Sequence, residues 1–303
     1  MNKLQYTILL ISVTIAWSTE IVLMKNIPDS ISPFAVLTIT NGIGSILLCA
    51  VFFKYIKKNI RKKDFLYVFV LSAMNILYNS LIIIALRYMD SATGSFIISF
   101  TLVLIPLMML IMGRKITLDN IIGIAIVALG IIMARTVSLN GLNYVGMVIM
   151  IAVCFIRAFY IIKMNDFSKV SDSVVLTVFI GIMVTVISFV LWFIVQPKTF
   201  FAIEYSKDML ASVFMDGYFI CGYAVLLNIT AQKYASPATC SAIYSFQIVF
   251  AVIFSAIIPE MLGESIPITV EKAIGCALIV IGAIISELNV ATRLKGGKVK
   301  SDA

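Results

Sequence analysis

Three ionisable residues lie inside long apolar stretches of the chain, where a charge is costly to bury: Glu20, Arg157 and Asp216. A charge at the centre of a membrane-spanning helix costs about 2.5 to 3.5 kcal/mol on insertion scales, so such residues are usually kept for function. A buried carboxylate can take up a proton or a cation, and an acid together with a base suits a zwitterionic ligand. A structural ion pair is the alternative, and Asp216 could instead lie at a membrane interface.

The depth of these residues along their helices bears on which of them meet. Glu20 lies past the centre of the first apolar stretch by about 7 Å toward the outside, whereas Arg157 lies a similar distance toward the cytoplasm. A direct bridge between Glu20 and Arg157 is therefore not expected. Glu20 and Asp216 are nearer in depth, and they could form an acidic pair whose proton or cation occupancy depends on the side that it faces.

Neutral polar and aromatic residues form a second group of candidates. Ser72, Asn75, Tyr78 and Asn79 recur at three- and four-residue spacing, which places them in one stripe of an otherwise apolar helix. Such a stripe lines an aqueous cavity or binds a neighbouring helix through hydrogen bonds, and both interpretations are open. Aromatic walls with few charges suit small organic ligands. The other candidates for a substrate or ion pathway are Trp17, Asn41, Ser99, Tyr160, Tyr223, Tyr244 and Gln247.

The composition is that of an integral membrane protein. Apolar residues make up 61% of the chain and charged residues 13%, and the mean hydropathy is +1.08. The formal charge of +8 does not indicate nucleic acid, because the lysines and arginines cluster in loops on one side. There is no histidine, and the five cysteines are scattered small hydrophobes without metal-ligand spacing. We therefore expect no cofactor and no metal. The expected partners are a small-molecule substrate and the lipid bilayer, and the expected oligomeric state is a monomer or homodimer.

Ten apolar stretches of about 20 residues predict ten membrane-spanning helices. They lie at about 5–25, 33–53, 65–86, 91–112, 117–135, 142–163, 173–195, 209–231, 237–258 and 269–289. Basic residues concentrate at 54–63, 114–115 and 293–300, which predicts that these segments and both termini lie in the cytoplasm. We expect the protein in the bacterial inner or plasma membrane. The first stretch is interpreted as an uncleaved span. Pro106 is expected to kink the fourth span.

A sequence repeat relates two halves of the chain. The segment from Arg87 to Phe100 returns as the segment from Lys233 to Phe246. Five spans per half is an odd number, so the second half must enter the membrane with the opposite polarity. The sequence thus predicts an all-α polytopic membrane protein of ten transmembrane helices in two inverted five-helix repeats, at 1–138 and 139–290, followed by a basic cytoplasmic tail at 291–303. In such repeats the substrate site lies near the midplane between the halves.

Two glycine pairs occupy matching positions in the halves. Gly123 and Gly130 lie on one helix face, as do Gly275 and Gly282, and their spacing allows close approach between helices. We interpret all four as helix-packing residues.

These motifs together resemble the ten-span EamA-type members of the drug/metabolite transporter superfamily. The likeness covers nearly the whole chain: Trp17, Ser32-Pro33-Phe34, the Ala-Thr pairs that open spans four and nine, Gly263-Glu264-Ser265, and the paired glycines. Gly113-Arg114-Lys115 and Asn41-Gly42 depart from the family pattern. The resemblance implies transport of amino acids, nucleotide-type metabolites, cofactors or drugs.

The leading hypothesis is a secondary transporter of a small organic solute that works by alternating access. An amino acid or related metabolite is the preferred substrate, and export is the preferred direction. Because the sequence contains no nucleotide-binding P-loop, we expect the energy to come from an ion gradient, such as a proton gradient, or from exchange. A proton-coupled exporter of cationic drugs is the first alternative, because a membrane-embedded glutamate, Glu20, beside Trp17 in the first span resembles the small multidrug resistance proteins. A non-transporting sensor or scaffold is the second. A membrane enzyme is disfavoured, since no nucleophile, base and metal ligands converge in the sequence.

Overall fold

The structure, a computed structural model, describes residues 1–25, 27–28, 30–89, 91–133, 143–200, 206–257 and 269–288. These residues form helices joined by short connections, and no strand occurs among them. The predicted tail at 291–303 and the Gly263-Glu264-Ser265 motif lie outside the described residues.

The helices follow the predicted apolar stretches. The first half contains α1 Lys3–Lys25, α2 Pro33–Asn59, α3 Asp64–Leu86, α4 Ser91–Ser99, α5 Thr101–Ile111 and α6 Leu118–Met133. The second half contains α7 Tyr144–Val170, α8 Ser173–Val195, α9 Lys207–Met215, a π-helical segment Asp216–Ala224, α10 Val225–Gln232, α11 Pro237–Tyr244, α12 Phe246–Ile257 and α13 Val270–Leu288. A proline opens α2 and α11, where a missing amide hydrogen costs no helical hydrogen bond.

Six helical runs are long and apolar enough to cross a membrane: Pro33–Asn59, Asp64–Leu86, Tyr144–Val170, Ser173–Val195, Met209–Gln232 and Pro237–Phe254. They coincide with six of the ten predicted spans. The other four predicted spans coincide with α1, the pair α4 and α5, α6, and α13. That these four also cross the membrane stays a prediction.

The fourth and ninth spans each have one residue where the regular helical hydrogen bonding is interrupted while the backbone stays helical, with φ −62° and ψ −18° at Phe100 and φ −61° and ψ −21° at Ser245. The first interruption lies at Phe100, between α4 and α5, and the second at Ser245, between α11 and α12. α5 runs through Pro106, and the kink expected at this proline stays a prediction. Proline cannot bond to the carbonyl four residues earlier, which here belongs to Leu102. The Ser241 hydroxyl, from the second half, donates to this Leu102 carbonyl instead. The carbonyl that the proline leaves without a helical hydrogen bond thus accepts one from the other half.

Glycines bring α6 and α13 into backbone contact. A Cβ atom on Gly123 would lie 2.5 Å from the Gly282 carbonyl oxygen, and one on Gly130 would lie 2.7 Å from that of Gly275. The residue numbers rise along one helix as they fall along the other, so the two helices run antiparallel. Any larger residue at these positions would force the helices apart.

Polar contacts join the halves at the end predicted to be cytoplasmic. Arg114 donates two hydrogen bonds to the Asp166 carboxylate, at 2.8 and 2.7 Å. On the neighbouring helices, the Ser171 hydroxyl donates to Asp64 at 2.7 Å, and Arg61 donates to the Val170 carbonyl at 2.7 Å. These bonds connect loops of the first half with α7 and its end in the second half.

Candidate functional site

A cavity lies between the two halves and holds most of the polar residues found in the apolar stretches. Its volume, measured as the space open to the centre of a water-sized molecule, is about 60 Å³. It is lined from α1, α2, α3, α4, α7, the π segment, α10 and α12. Its lining residues are Trp17, Glu20, Leu37, Thr40, Asn41, Asn75, Tyr78, Asn79, Ile82, Ile83, Ile98, Arg157, Tyr160, Ile161, Met164, Ile220, Cys221, Val225, Asn228 and Gln247.

Glu20 and Arg157 share this cavity, one from each half. The Arg157 guanidinium lies over the Trp17 ring, with Cζ 5.5 Å from the ring centroid. Glu20 and Arg157 attract each other electrostatically, but in the described part of the chain neither forms an ion pair within 4.0 Å. This agrees with the expectation that they form no direct bridge. An acid and a base thus face one space without neutralising each other at contact distance.

The polar stripe of α3 forms one wall of the cavity. The Asn79 amide donates to Asn75 Oδ1 at 3.0 Å, and the Asn75 amide donates to the Tyr78 hydroxyl at 3.2 Å. Tyr78 also packs against Tyr160 of α7, with ring centroids 5.2 Å apart. The stripe therefore serves both of the roles left open: it lines the cavity, and its aromatic member meets a neighbouring helix. Ser72, one turn earlier, donates to the Ile180 carbonyl of α8.

A second hydrogen-bond network supports the opposite wall. The buried Tyr244 donates to Asn228 Oδ1, and Gln232 donates to Tyr244 at 2.9 Å and to Asn228 at 3.1 Å. Tyr244 also packs on Trp17, with ring centroids 5.1 Å apart. Gln247 donates to the Trp17 carbonyl at 2.9 Å. Tyr244 thus lies behind the lining and fixes the side chains that form it.

Asp216 lies beside the cavity, outside the lining. It is 1% exposed and begins the π segment, so its carboxyl is buried in the protein. Whether it lies at the depth of the membrane interface stays a prediction. Cys221 donates to its Oδ2 at 3.6 Å, and Glu20 interacts with it electrostatically. Of the predicted acidic pair, Glu20 therefore lines the cavity and Asp216 lies behind its wall.

Three other predicted residues have different surroundings. Tyr223 is 54% exposed and does not line the cavity, because residues two apart on a helix face different ways and Cys221 takes the inward position. Ser99 is buried and donates to the Phe96 carbonyl of its own helix at 2.5 Å. Asn41 does line the cavity, and its amide donates to the Leu37 carbonyl at 3.1 Å.

Sequence reasoning missed Thr40, Cys221 and Asn228, which all line the cavity. Asn228 has a signal in the sequence, since Asn228 and Gln232 repeat the four-residue spacing of Asn75 and Asn79. Cys221 was interpreted as a small hydrophobe, whereas here its thiol has a carboxylate partner. Among the described residues, no three His, Cys, Asp or Glu side chains cluster as metal ligands.

Comparison with known proteins assigns the chain to a family. The profile of the EamA-like transporter family matches residues 4–136 and again residues 144–288. A solved structure described only as "Crystal structure of protein" superposes with a TM-score of 0.75 at 15% identity, covering 97% of this chain and 99% of that chain. At this identity the likeness concerns the fold alone. A search of curated protein sequences gave no match.

Proposed function

Since the chain belongs to the EamA-like transporter family of the drug/metabolite transporter superfamily, we propose that it moves a small zwitterionic solute across the membrane by alternating access. The observation that carries this proposal is the placement of Glu20 and Arg157 in one cavity without a contact ion pair between them. The preferred substrate is an amino acid or a related metabolite, and the preferred direction is export. Proton coupling or exchange supplies the energy.

The chemistry of the cavity supports a ligand with two opposite charges. A guanidinium binds a carboxylate through parallel hydrogen bonds, and a carboxylate binds an ammonium group. Asn75, Asn79 and Gln247 supply neutral donors and acceptors, while Trp17 and Tyr160 supply an apolar wall. A ligand with only one charge would leave either Glu20 or Arg157 without its partner in a desolvated site, which is costly.

The two-fold repeat supports alternating access. The fourth and ninth spans are interrupted at neighbouring positions of the repeat, Phe100 and Ser245, where the backbone stays helical. In transporters built from inverted repeats, the substrate site lies near the midplane between the repeats. Ile98 and Gln247, which line the cavity, lie within two residues of these interruptions.

A thermal-stability screen of the purified protein tests the substrate class. Each common L-amino acid would be compared with its decarboxylated amine and its N-acetylated acid, so that only the charges differ. We expect stabilisation by one or more amino acids and a loss of at least tenfold in apparent affinity for the matching amine and acid. The stabilisation should disappear in Glu20→Gln and Arg157→Ala and persist in Lys163→Ala, which removes a cation from the same helix outside the cavity lining.

Other results would favour other functions. Stabilisation by amines and by tetraphenylphosphonium that needs Glu20 but not Arg157 would support the cationic-drug exporter. That alternative draws on the pairing of Glu20 with Trp17 in the cavity, and Arg157 counts against it because it repels cations. Tight binding of an amino acid without any counterflow in proteoliposomes would support a sensor. Efflux of the preloaded amino acid from expressing cells, compared with uptake, gives the direction.

A further inference from the structure

The carboxyl group of Asp216 is buried without the partners that a buried anion needs. The side chain is 1% exposed, and its Oδ1 atom has no hydrogen-bond partner in the described part of the chain. Oδ2 accepts only the weak hydrogen bond of the Cys221 thiol, at 3.6 Å. An ionised carboxylate in such surroundings is strongly disfavoured, because removing it from water costs several kcal/mol unless a cation or several donors replace the lost solvation.

A second unpartnered oxygen lies in the same pocket. Thr40 on α2 is fully buried and lines the cavity wall, and its Oγ1 atom makes no hydrogen bond of acceptable geometry. This hydroxyl is close enough to the Asp216 carboxyl to interact with it. Thr40 Oγ1 and Asp216 Oδ1 are therefore two buried oxygen atoms of interacting side chains, and each lacks a hydrogen bond of acceptable geometry.

Glycines hold these two oxygens together. A Cβ on Gly217, the residue after Asp216, would lie 2.9 Å from the Thr40 carbonyl oxygen. A Cβ on Gly44, one turn along α2, would lie 2.7 Å from the Gly217 carbonyl oxygen and 2.8 Å from the Gly222 amide nitrogen. The π segment and α2 thus approach at backbone distance on both sides of the pocket. π-helical turns are rare in proteins, and those that are present are often found at functional sites.

We propose that Asp216, together with Thr40, forms a proton-binding site that couples transport to a proton gradient. A proton taken from cavity water breaks one O–H bond in the hydrated proton and forms one at Asp216 Oδ1, which then donates to Thr40 Oγ1. The carboxyl becomes neutral, and one positive charge enters the protein. This inference rests on the proposed transport function, since coupling has meaning only if a solute is moved.

The surroundings of the pocket favour a proton over a metal cation. Hard cations bound by proteins take about six or more oxygen ligands, whereas two free oxygens and a thiol meet here. Among the described residues, the ionisable groups that face Asp216 are Glu20 from α1 and Cys221 from its own segment, and α2 presents only Thr40. Arg157 acts on Glu20 across the cavity. Glu20, Thr40 and Cys221 all line the cavity, so a proton reaches Asp216 through a wall one residue thick.

Infrared spectroscopy of the purified protein tests the site without knowledge of the substrate. In spectra recorded across neutral pH, we expect the carbonyl stretch of a protonated carboxylic acid. Asp216→Asn should abolish this band, and Glu271→Gln, which changes an exposed carboxyl, should leave it unchanged. Thr40→Val keeps the shape of the side chain and removes the hydroxyl, so the band should shift to higher frequency. A band of equal size in Asp216→Asn would overturn the proposal, as would a Thr40→Val spectrum identical to that of wild type.

Proteoliposomes separate this proposal from the proposed function. Radiolabelled L-amino acids, tested singly, would be measured in counterflow and in accumulation driven by a proton gradient. We expect Asp216→Asn to retain counterflow and to lose gradient-driven accumulation. Accumulation that persists in Asp216→Asn, or that requires sodium ions and Asp216 together, would overturn the proton site. If the band is present in wild type but no amino acid moves, the site stands as a proton-binding site and the proposed substrate class fails.

Discussion

Replacing Gly44 by alanine tests whether backbone contact between α2 and the π segment positions the site. The added Cβ would lie 2.7 Å from the Gly217 carbonyl oxygen, 2.8 Å from the Gly222 amide nitrogen and 3.0 Å from the Cys221 carbonyl carbon. Ordinary contacts of a Cβ begin near 3.4 Å. All three neighbours are backbone atoms, which cannot rotate away, so α2 must move off the π segment by several tenths of an ångström.

Gly42→Ala is the matched control on the same helix. Its Cβ would lie 3.5 Å from Thr185 Cγ2, an ordinary van der Waals contact. Both substitutions gain the same helix propensity, about 0.8 to 1 kcal/mol for alanine over glycine, so this gain cancels in their difference. What remains is the cost of overpacking at Gly44, typically about 1 to 3 kcal/mol. We expect Gly44→Ala to be less stable than Gly42→Ala by that amount.

Unfolding by SDS in mixed micelles measures the difference in free energy of unfolding between the two variants. The infrared spectrum supplies a second measurement, because separation of the helices should move Thr40 away from Asp216 and shift the carboxylic acid band in Gly44→Ala alone. Two variants of equal stability with identical spectra would refute the reasoning that backbone contact at Gly44 holds the pocket together.

Two further predictions concern polar contacts between helices. The ion pair of Arg114 with Asp166 has side chains 29% and 32% exposed, so a double-mutant cycle with alanine should give a coupling of about 0.2 to 1 kcal/mol that weakens with salt. The hydrogen bond with Asp166 raises the pKa of Arg114, so its guanidinium stays charged and the coupling should be constant between pH values of about 6 and 9; a loss within this range would contradict the assignment. Tyr244→Phe should lower the free energy of unfolding by about 0.5 to 1.5 kcal/mol, because its hydrogen bond to Asn228 is lost. Tyr234→Phe, which changes an exposed tyrosine, should have little effect. Equal losses of stability in the two variants would argue against the network.

Most of the cavity's polar lining could be predicted from the sequence because polar groups are rare in membrane helices. Glu20, Arg157 and the stripe from Asn75 to Asn79 stand out against apolar neighbours, and helical periodicity places the stripe on one face. The repeat predicted that the site lies between two halves, and the cavity is lined from both. The expected absence of a direct Glu20–Arg157 bridge followed from the rise per residue alone.

The pocket around Asp216 could not be predicted, because it depends on two helices meeting. The sequence singles out Asp216 as a charge in an apolar stretch, but it does not show that the segment Asp216–Ala224 packs against Gly44 of α2. The partner of the Leu102 carbonyl could not be predicted for a similar reason. Pro106 leaves this carbonyl without a helical hydrogen bond, and the Ser241 hydroxyl of another helix donates to it, a contact of which the local sequence carries no sign.

The two halves differ most where the proposed proton site lies. The interruptions of helical hydrogen bonding in the fourth and ninth spans lie at neighbouring positions of the repeat, Phe100 and Ser245, so they belong to the scaffold that both halves share. The third span of the first half is one regular helix, Asp64–Leu86, whereas its counterpart in the second half is interrupted by the π segment. The buried carboxyl is the first residue of that interruption. A widened helical segment needs close packing to persist, and it receives this packing from a glycine of the other half. The carboxyl is thus held by a contact between the halves, so a relative movement of the halves would alter its surroundings and with them its affinity for a proton.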